Sequence, residues 1–423
     1  MSSIFLTIFV TALVTLFCTL IFRNLATPER RLDYQLRELA VDDPTFERCM
    51  AHLLGPPLVG GNRITTLNNG DEIFPAMLAA VRNATSNITF ETYIYWSGQI
   101  GKEFVKALTE RARAGIRVHV LLDWLGSNRM SAAEIIELRS AGVEVERYRP
   151  LSWYSVARMN SRTHRKIMVV DGRIGFIGGV GIADQWTGHA QDPDHWRDTH
   201  YQVEGPVVAH LQAAFTDNWI KTRANVLNHV DYFPELAEVG DAWAQVFKSS
   251  PREGGDSARL MFLLSLGAAR ERILIANSYF VPDDRTSAEL ISASRRGVRL
   301  EIIVPGVFID THLTRRASRS QWGPLLEAGI NIYEYQPTML HSKVMVIDDR
   351  WVSVGSTNFD NRSFRLNDEA NLNVMDERFA EEQAQLFEND KQLSRQVTLE
   401  KWNNRPWSEK VIEILAGLLR SQV

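Results

Sequence analysis

The sequence predicts an α/β fold made of two pseudo-symmetric repeats, each a mostly parallel sheet flanked by helices, with an N-terminal transmembrane helix. Three observations predict it. The stretch HRKIMVVD (residues 164–171) returns as HSKVMVID (341–348), with His, Lys and Asp at the same offsets. The segments before the two copies repeat one order of strand-like and helix-like patterns. Residues 4–22 carry no charge.

The uncharged run IFLTIFVTALVTLFCTLIF (4–22) has 19 residues, and a helix of this length nearly crosses a hydrocarbon core of about 30 Å. A cleaved signal peptide is the alternative. However, the leading MSS supplies no Lys or Arg, and no small-x-small cleavage site follows. A retained single-pass anchor in the cytoplasmic (inner) membrane is therefore favoured. Arg23, Arg30, Arg31 and Arg37 then predict that the catalytic part lies on the cytoplasmic side.

Each repeat reads as strand, helix, strand, helix, strand, followed by the His-Lys-Asp strand. In the first repeat these elements are NITFETYIYW, IGKEFVKALTERARAG, IRVHVLLDW, SAAEIIELRSAG and VEVERY, and Gly115 is a candidate C-cap. In the second they are RILIANSYF, DRTSAELISASRRG, VRLEIIVPG, the helical stretch QWGPLLEAG and INIYEY. Strands that alternate with helices are typical of a mostly parallel sheet.

The predicted organisation has five parts: a transmembrane anchor (1–25), a juxtamembrane linker (26–60), the first repeat (61–245), the second repeat (246–398) and a C-terminal amphipathic helix (399–423). The C-terminal helix carries an apolar stripe that follows Trp402 and Trp407. This helix either packs on the domain or docks at a membrane interface.

The two motif copies predict a shared chemical site. On a strand, His164 and Lys166 face the same side, as do His341 and Lys343. A single copy would be explained by a solvated strand edge and a turn, but a duplicated turn has no need of the His and the Lys. One imidazole can attack an electrophile while the other protonates the leaving group. Two ammonium groups can neutralise an anionic centre, which is a task suited to phosphoryl transfer.

Composition narrows the function classes. Hydrophobic residues make up 45% of the 423 residues, so the chain can bury a large core. A net charge of -4 argues against a nucleic-acid partner. Cys18 and Cys49 are the only cysteines and cannot form a disulfide framework or a zinc knuckle. No metal-ligand spacing is visible, so neither a metal nor another cofactor is expected. The sequence gives no basis for predicting an oligomeric state.

The paired His-x-Lys-x4-Asp motifs resemble the phospholipase D superfamily over residues 63–390. Three segments, GSTNFDNRSFRLNDEANL (355–372), HWRDTHYQVEGP (195–206) and FTDNW (215–219), are more similar to bacterial cardiolipin synthases. This resemblance implies phosphatidyl transfer between two phosphatidylglycerols through a covalent phosphohistidine, giving cardiolipin and glycerol. It also implies that the partners are phosphatidylglycerol, other anionic phospholipids and a membrane.

The resemblance assigns roles to individual residues. It makes His164 the nucleophile, His341 the acid and then the base, and Lys166 and Lys343 the phosphate-binding lysines. Asn358 falls on the Asn of the second Gly-Ser-x-Asn segment. The remaining candidates are Glu369 as an acid that orients an imidazole, Asp198 as its counterpart, Ser356 as a donor near the phosphate, and the motif residues Asp171 and Asp348, which are expected to hold the turns.

Three points stay open at this level. Gly181 stands where the first repeat of the family has Asn. Arg158, Arg162 and Arg165 are interpreted either as a basic patch for anionic lipid or as a solvated loop. Which imidazole Glu369 supports depends on how the repeats pack. The alternative function is a hydrolase of the same superfamily that uses water as the acceptor, and a non-catalytic membrane scaffold is a third.

Overall fold

The computed structural model describes residues 2–25, 39–150, 160–251 and 257–420, with the side chains of 4–19 in the first of these ranges. Its α-helices are α1 (Ser2–Leu25), α2 (Pro44–Cys49), α3 (Asn69–Arg82), α4 (Gln99–Arg113), α5 (Ala132–Ser140), α6 (Val208–Arg223), α7 (Ser257–Ala268), α8 (Asp284–Arg295), α9 (His312–Arg319), α10 (Trp322–Glu327), α11 (Asn361–Arg365), α12 (Glu377–Gln392), α13 (Leu399–Asn403) and α14 (Trp407–Gly417).

The strands are β1 (Val59–Asn68), β2 (Asn87–Thr92), β3 (Arg117–Asp123), β4 (Glu144–Tyr148), β5 (Ile167–Val170), β6 (Ile174–Gly178), β7 (Thr199–Glu204), β8 (Ala242–Ser249), β9 (Arg272–Asn277), β10 (Phe280–Val281), β11 (Arg299–Pro305), β12 (Asn331–Tyr335), β13 (Lys343–Ile347), β14 (Trp351–Gly355), β15 (Phe359–Asp360), β16 (Glu369–Met375) and β17 (Ser394–Val397). A π-helical turn (Met50–Leu54) follows α2, and a 3-10 turn (Asp184–Trp186) precedes β7.

The strand order of the sheet shows the duplication. The first repeat contributes strands in the order β1-β7-β6-β5-β2-β3-β4, and the second contributes β8-β16-β14-β13-β9-β11-β12, with β17 added at the edge. Each strand of the first repeat thus has its counterpart at the same place in the second. Antiparallel pairing of β1 with β8 joins the two into one sheet of 15 strands.

The strands and helices predicted before each motif are confirmed, from β2 to β4 and from β9 to β12. Gly115 follows α4 with φ +88°, a left-handed conformation suited to a residue that ends a helix. The expectation of a mostly parallel sheet is wrong. In the 15-stranded sheet, only the strands joined by helices, such as β2-β3-β4, are parallel, whereas β5, β6, β7 and β1 pair antiparallel. The three-residue turns at 171–173 and 348–350 reverse the chain, and so short a connection joins only antiparallel strands.

A central apolar cluster holds the two repeats together. It combines side chains of β5 and β7, such as Ile167 and Tyr201, with those of β13 and β16, such as Val346 and Leu372, and Phe387 of α12 covers it. Two further clusters lie under the outer helices of the first and second repeats. Because the central cluster belongs to both repeats, it fixes their relative position and brings the two motif strands near each other.

The apolar N-terminal run lies in α1. Within the described part of the chain, no helix has both the length and the apolar character needed to cross a bilayer. The arginines expected to set the topology, Arg30, Arg31 and Arg37, lie outside the described residues.

Candidate active site

A cavity of about 620 Å³ opens where the two motif copies meet. His164 and Lys166 line it from the first repeat, and His341 and Asn358 line it from the second. The structure therefore brings both motif histidines, Lys166 and the candidate Asn358 to one cavity. The remaining lining residues include aromatic and charged side chains, among them Tyr93, Trp186, Trp196, Tyr279, Asp310, Arg162 and Arg362.

Each imidazole is paired with a carboxylate from the opposite repeat. His164 Nδ1 lies 3.0 Å from a carboxylate oxygen of Glu369, and His341 Nδ1 lies 2.7 Å from one of Asp198. Both carboxylates are fully buried. A carboxylate that accepts the Nδ1 proton leaves Nε2 as the basic and nucleophilic nitrogen, and it also holds the ring in one orientation.

The backbone explains why the pairs cross. The His164 amide donates to the carbonyl of Asp368 at 2.8 Å, directly before Glu369. In the same way, the His341 amide donates to the carbonyl of Arg197 at 2.7 Å, directly before Asp198. Each motif histidine thus bonds to the residue that directly precedes the carboxylate of the other repeat. That carboxylate therefore lies within reach of the imidazole.

The two lysines lie close to the imidazoles. Lys166 Nζ donates to the carbonyl of His164 at 2.8 Å and lies 5.6 Å from the centre of the Tyr93 ring. Lys343 Nζ donates to Ser278 Oγ at 2.8 Å and lies 3.2 Å from His341 Nε2. Both ammonium groups are buried, so their charge acts in a medium that screens it weakly.

Burial and like charge shift the pKa values of these groups. Burial lowers the pKa of His164 to about 4, with Glu369 opposing and the lysines adding to the effect. Burial and Lys343 lower the pKa of His341 to about 3. The same causes lower the pKa of Lys166 to about 7, and burial lowers that of Lys343 to about 8. Both imidazoles are thus neutral at neutral pH, with Nδ1–H donated to a carboxylate.

Ser356 and Asn358 follow strand β14 and support the site in different ways. Ser356 Oγ donates to Glu369 at 2.6 Å, which holds the carboxylate that faces His164. Asn358 Oδ1 accepts from Ser278 Oγ at 2.8 Å, and Ser278 in turn accepts from Lys343. The Asn358 amide nitrogen is therefore the group left to donate into the cavity.

The packing around Gly181 explains why this position carries no Asn. A Cβ at Gly181 would lie 2.9 Å from Ile94 Cβ and 3.2 Å from a ring carbon of Trp186. The Trp186 ring lies 5.2 Å from the His341 ring, centre to centre, and its Nε1 donates to Asp198 at 2.9 Å. An indole thus fills the place of the missing carboxamide, and it holds the carboxylate that faces His341.

The motif aspartates lie at the other ends of their strands and are not brought to the cavity. Asp171 has φ +54°, and its carboxylate accepts the backbone amides of Thr85, Ser86 and Asn87. Asp348 has φ +48° and accepts the amides of 270–272 in the same manner. Their inclusion among the catalytic candidates is not supported by this placement, whereas the expected role in the turn agrees with it.

Asp171→Asn is expected to lower stability without impairing the chemical step. The substitution replaces an anionic acceptor of three amides by a neutral one, which should lower the free energy of unfolding by about 1–3 kcal/mol. Denaturant unfolding measures the loss, and kcat of the folded enzyme is the control. A stable variant with a kcat reduced as strongly as that of a motif-histidine variant would contradict this assignment.

Two of the three arginines near the first motif, Arg162 and Arg165, are buried and so do not belong to a surface patch. Arg165 is fully buried and donates to the carbonyls of Ala214, Glu369 and Ser249, so it joins the repeats at their interface. Arg162 is also buried, but it lines the cavity. Arg158 lies outside the described residues. A count of charges along the sequence cannot show that the Arg165 guanidinium is buried and that interior carbonyls accept its hydrogen bonds.

Several cavity residues were missed by sequence reasoning. Trp196 and Trp186 flank the His341 ring, with Trp196 5.6 Å from it between centres. Arg362 lines the cavity and donates to Asn160 at 2.8 Å. Trp196 stands beside the predicted Asp198 in HWRD, and Arg362 stands in NRSFRLN, so segments already singled out contained both. Within 2–25, 39–150, 160–251 and 257–420, no cluster of three or more His, Cys, Asp or Glu side chains is placed to hold a metal ion.

Comparison with known proteins identifies the family of the chain. The protein family described as "Cardiolipin synthase, PLD-like domain" matches residues 77–219 and 263–391. The chain belongs to this family. Cardiolipin synthase A of Pseudomonas syringae is 34% identical over 356 residues, which cover 84% of this chain and 73% of that protein. Cardiolipin synthase 2 of Staphylococcus epidermidis is 35% identical over 365 residues, which cover 86% and 75%.

The fold of this cardiolipin synthase family member also resembles a solved structure. The phosphatidylserine synthase of Haemophilus influenzae superposes with a TM-score of 0.71, covering 90% of this chain and all of that one. Sequence identity between the two is 15%, so the similarity concerns the fold. The α/β phospholipase D-like architecture predicted from the repeated motifs is therefore confirmed.

Proposed function

We propose that the protein is a phosphatidyltransferase that joins two phosphatidylglycerols into cardiolipin and releases glycerol. The observation that carries this proposal is the pair of crossed imidazole–carboxylate contacts, His164 with Glu369 and His341 with Asp198, at one cavity. Two buried lysines beside them suit an anionic phosphodiester. The relatives named cardiolipin synthase support the same reaction.

In the first step, Nε2 of His164 attacks the phosphorus of the donor lipid. The bond from phosphorus to the glycerol oxygen breaks, and His341 protonates that oxygen, so that free glycerol leaves. The lowered pKa of His341 keeps it neutral at neutral pH, and we infer that the phosphate anion of the donor lipid offsets the lysine charges and raises this pKa to allow the role. Lys166, Lys343 and the Asn358 amide hold the non-bridging oxygens.

In the second step, His341 takes the proton of a hydroxyl on the acceptor phosphatidylglycerol. The resulting oxygen attacks phosphorus, the phosphorus–nitrogen bond to His164 breaks, and cardiolipin forms. The number of phosphodiester bonds stays constant over the two steps, so no nucleotide or other energy source is required. Water in place of the acceptor would give phosphatidic acid, which is the hydrolase alternative.

Purified protein incubated with phosphatidylglycerol in detergent tests the proposal through lipid analysis. Cardiolipin and glycerol in equal amounts support transfer, whereas phosphatidic acid as the main lipid product would establish the hydrolase. Both reactions should persist after exhaustive chelation, because the proposed groups are all side chains of this chain. Activity that is lost with chelator and returns only with a divalent ion would contradict the proposed site.

The value of kcat/KM is expected to fall as pH rises through about 7 to 8. Lys166 and Lys343 lose their protons in this range and no longer attract the phosphate. On the acid side, His164 stays neutral and nucleophilic down to about pH 4. Initial rates with a water-soluble short-chain lipid give the profile. Lys166→Arg keeps its charge throughout this range, so only the decline in kcat/KM due to Lys343 should remain. A flat wild-type profile between about pH 7 and 9 would contradict the assignment.

We further propose that residues 4–22 anchor the chain in the membrane as a single span. Exposed apolar side chains along the described part of α1, such as Phe5, Phe9 and Phe17, support this, because an isolated apolar helix in water is costly. The arginines after the run support a cytoplasmic location for the rest of the chain.

A reporter fused after Val423 is expected to behave as cytoplasmic, and deletion of residues 1–25 should loosen membrane attachment while the remaining chain stays folded. Cell fractionation and circular dichroism measure the two effects. A periplasmic reporter, or a mature chain that has lost its first 25 residues, would favour the signal-peptide alternative.

A further inference from the structure

The C-terminal helix α14 packs on the domain with its polar face inward. Glu413 is buried, and its carboxylate accepts from Arg319 Nε at 2.6 Å and from Arg405 Nε at 2.7 Å. Of its apolar residues, only Ala416 is buried. A surface helix of a globular protein ordinarily buries its apolar stripe and exposes its charges, so α14 has the reverse orientation.

The apolar stripe of α14 therefore faces away from the protein. Its side chains are exposed from one end of the helix to the other: Trp407 by 78%, Val411 by 45%, Ile412 by 39%, Ile414 by 64%, Leu415 by 59%, Leu418 by 75% and Leu419 by 49%. The ion pairs of Glu413 hold the helix in place, and consequently the stripe cannot turn inward without breaking the buried contacts of Glu413 with Arg319 and Arg405.

Helix α9 connects this stripe to the rim of the cavity. Helix α14 packs against α9, and Thr311 and Thr314 at the start of α9 line the cavity. Val307 and Phe308, in the segment that leads from β11 to this rim, are also exposed, as is Leu313. Exposed apolar side chains thus lie both on α14 and near the cavity opening.

Positive charge borders the same surface. A groove of about 390 Å³ between α9 and α14 is lined by four arginines, two glutamates and two apolar residues: Arg315, Arg316, Arg319, Arg395, Glu409, Glu413, Val307 and Ile412. Glu334 accepts from Arg315 and Arg395, and Glu413 accepts from Arg319. Arg316 has no ion-pair partner among the residues that the structure describes. Apolar side chains flanked by arginines are typical of a surface that lies among anionic headgroups.

We propose that α14, the exposed residues of 307–313 and the arginine groove form one docking face that lies in the headgroup region of an anionic bilayer and places the cavity opening against it. The proposal rests on the proposed function in one respect, because it assumes that the donor lipid enters from that bilayer. The docking face is distinct from α1, which tethers the chain whether or not α14 touches lipid.

Probe depth in the full chain tests the face independently of activity. Leu415→Cys, in a chain with Cys18→Ser and Cys49→Ser, carries a fluorescent label on vesicles of phosphatidylglycerol and phosphatidylcholine. Spin-labelled lipids should quench it, and aqueous iodide should not. Ile136→Cys on α5, where Ile136 is 63% exposed, is the matched control and should show the opposite pattern. Equal iodide access at both positions overturns the proposal, and so does protection of position 415 without lipid at rising protein concentration, which would identify a second copy as the occupant.

A rate comparison tests the consequence for substrate entry. Leu415→Glu with Leu418→Glu should lower the rate on vesicle-embedded phosphatidylglycerol by about tenfold or more and leave the rate on a dissolved short-chain lipid unchanged. Ile136→Glu should change neither rate. Equal loss on both substrates would contradict docking. If no transfer occurs with any lipid, the proposed function fails, while the depth measurement still decides whether the face binds a membrane.

Discussion

His341→Ala protein is expected to accumulate a phosphatidyl adduct on His164, whereas His164→Ala protein should form no adduct. His164 can still attack the donor lipid slowly without its acid partner, but discharge of the adduct then lacks a base. General acid–base assistance is worth about 10²- to 10⁴-fold, so turnover should fall at least that far in His341→Ala and be abolished in His164→Ala.

Mass spectrometry of the intact chain after a brief reaction with phosphatidylglycerol measures the adduct, and peptide mapping locates it. The two variants serve as controls for each other, since each replaces a buried imidazole of the same site. An adduct on His341 in the His164→Ala protein would show that the two roles are reversed. The cavity and the crossed pairs would stand, and only the order of the steps would change.

Glu369→Gln is expected to slow adduct formation, and Asp198→Asn is expected to slow both steps, because His341 is the acid of the first step and the base of the second. Each carboxylate accepts the Nδ1 proton of the imidazole from the other repeat, and an amide in its place cannot hold the same tautomer and charge. The expected loss in each step is about 10²-fold or more. Single-turnover measurements separate the two steps, because the first releases glycerol and the second releases cardiolipin.

This comparison distinguishes positioning from a general structural effect. Crossed pairing predicts that adduct discharge is impaired in Asp198→Asn and much less in Glu369→Gln, whereas a merely destabilised enzyme would lose both steps alike in either variant. Asp171→Asn is the matched control, because it removes a motif charge that does not reach the cavity. Impaired discharge in Glu369→Gln together with unimpaired discharge in Asp198→Asn would show that each acid serves the imidazole of its own repeat.

The sequence was sufficient for the local structure because local structure depends on neighbours along the chain. Apolar periodicity predicted β2 to β4 and α4 to α5, and the repeat of that pattern predicted the second half. The duplicated His and Lys predicted one phosphoryl site. The antiparallel direction of the remaining strands was not predicted. It depends on the three-residue turns at 171–173 and 348–350 and on pairing with neighbouring strands of the sheet.

Only the tertiary structure decided which acid faces which histidine. His164 and Glu369, like Asp198 and His341, are far apart in sequence, and no local pattern distinguishes crossed from uncrossed pairs. The shared apolar cluster aligns the repeats, and the backbone amides of His164 and His341 form hydrogen bonds across the interface. These contacts place each imidazole beside the carboxylate of the other repeat. The same packing buried Arg165 and placed Trp186 beside Gly181. The sequence by itself determined the chemical groups and the elements that carry them. Their pairing was decided by the contact between the repeats, because that contact is formed by residues distant along the chain.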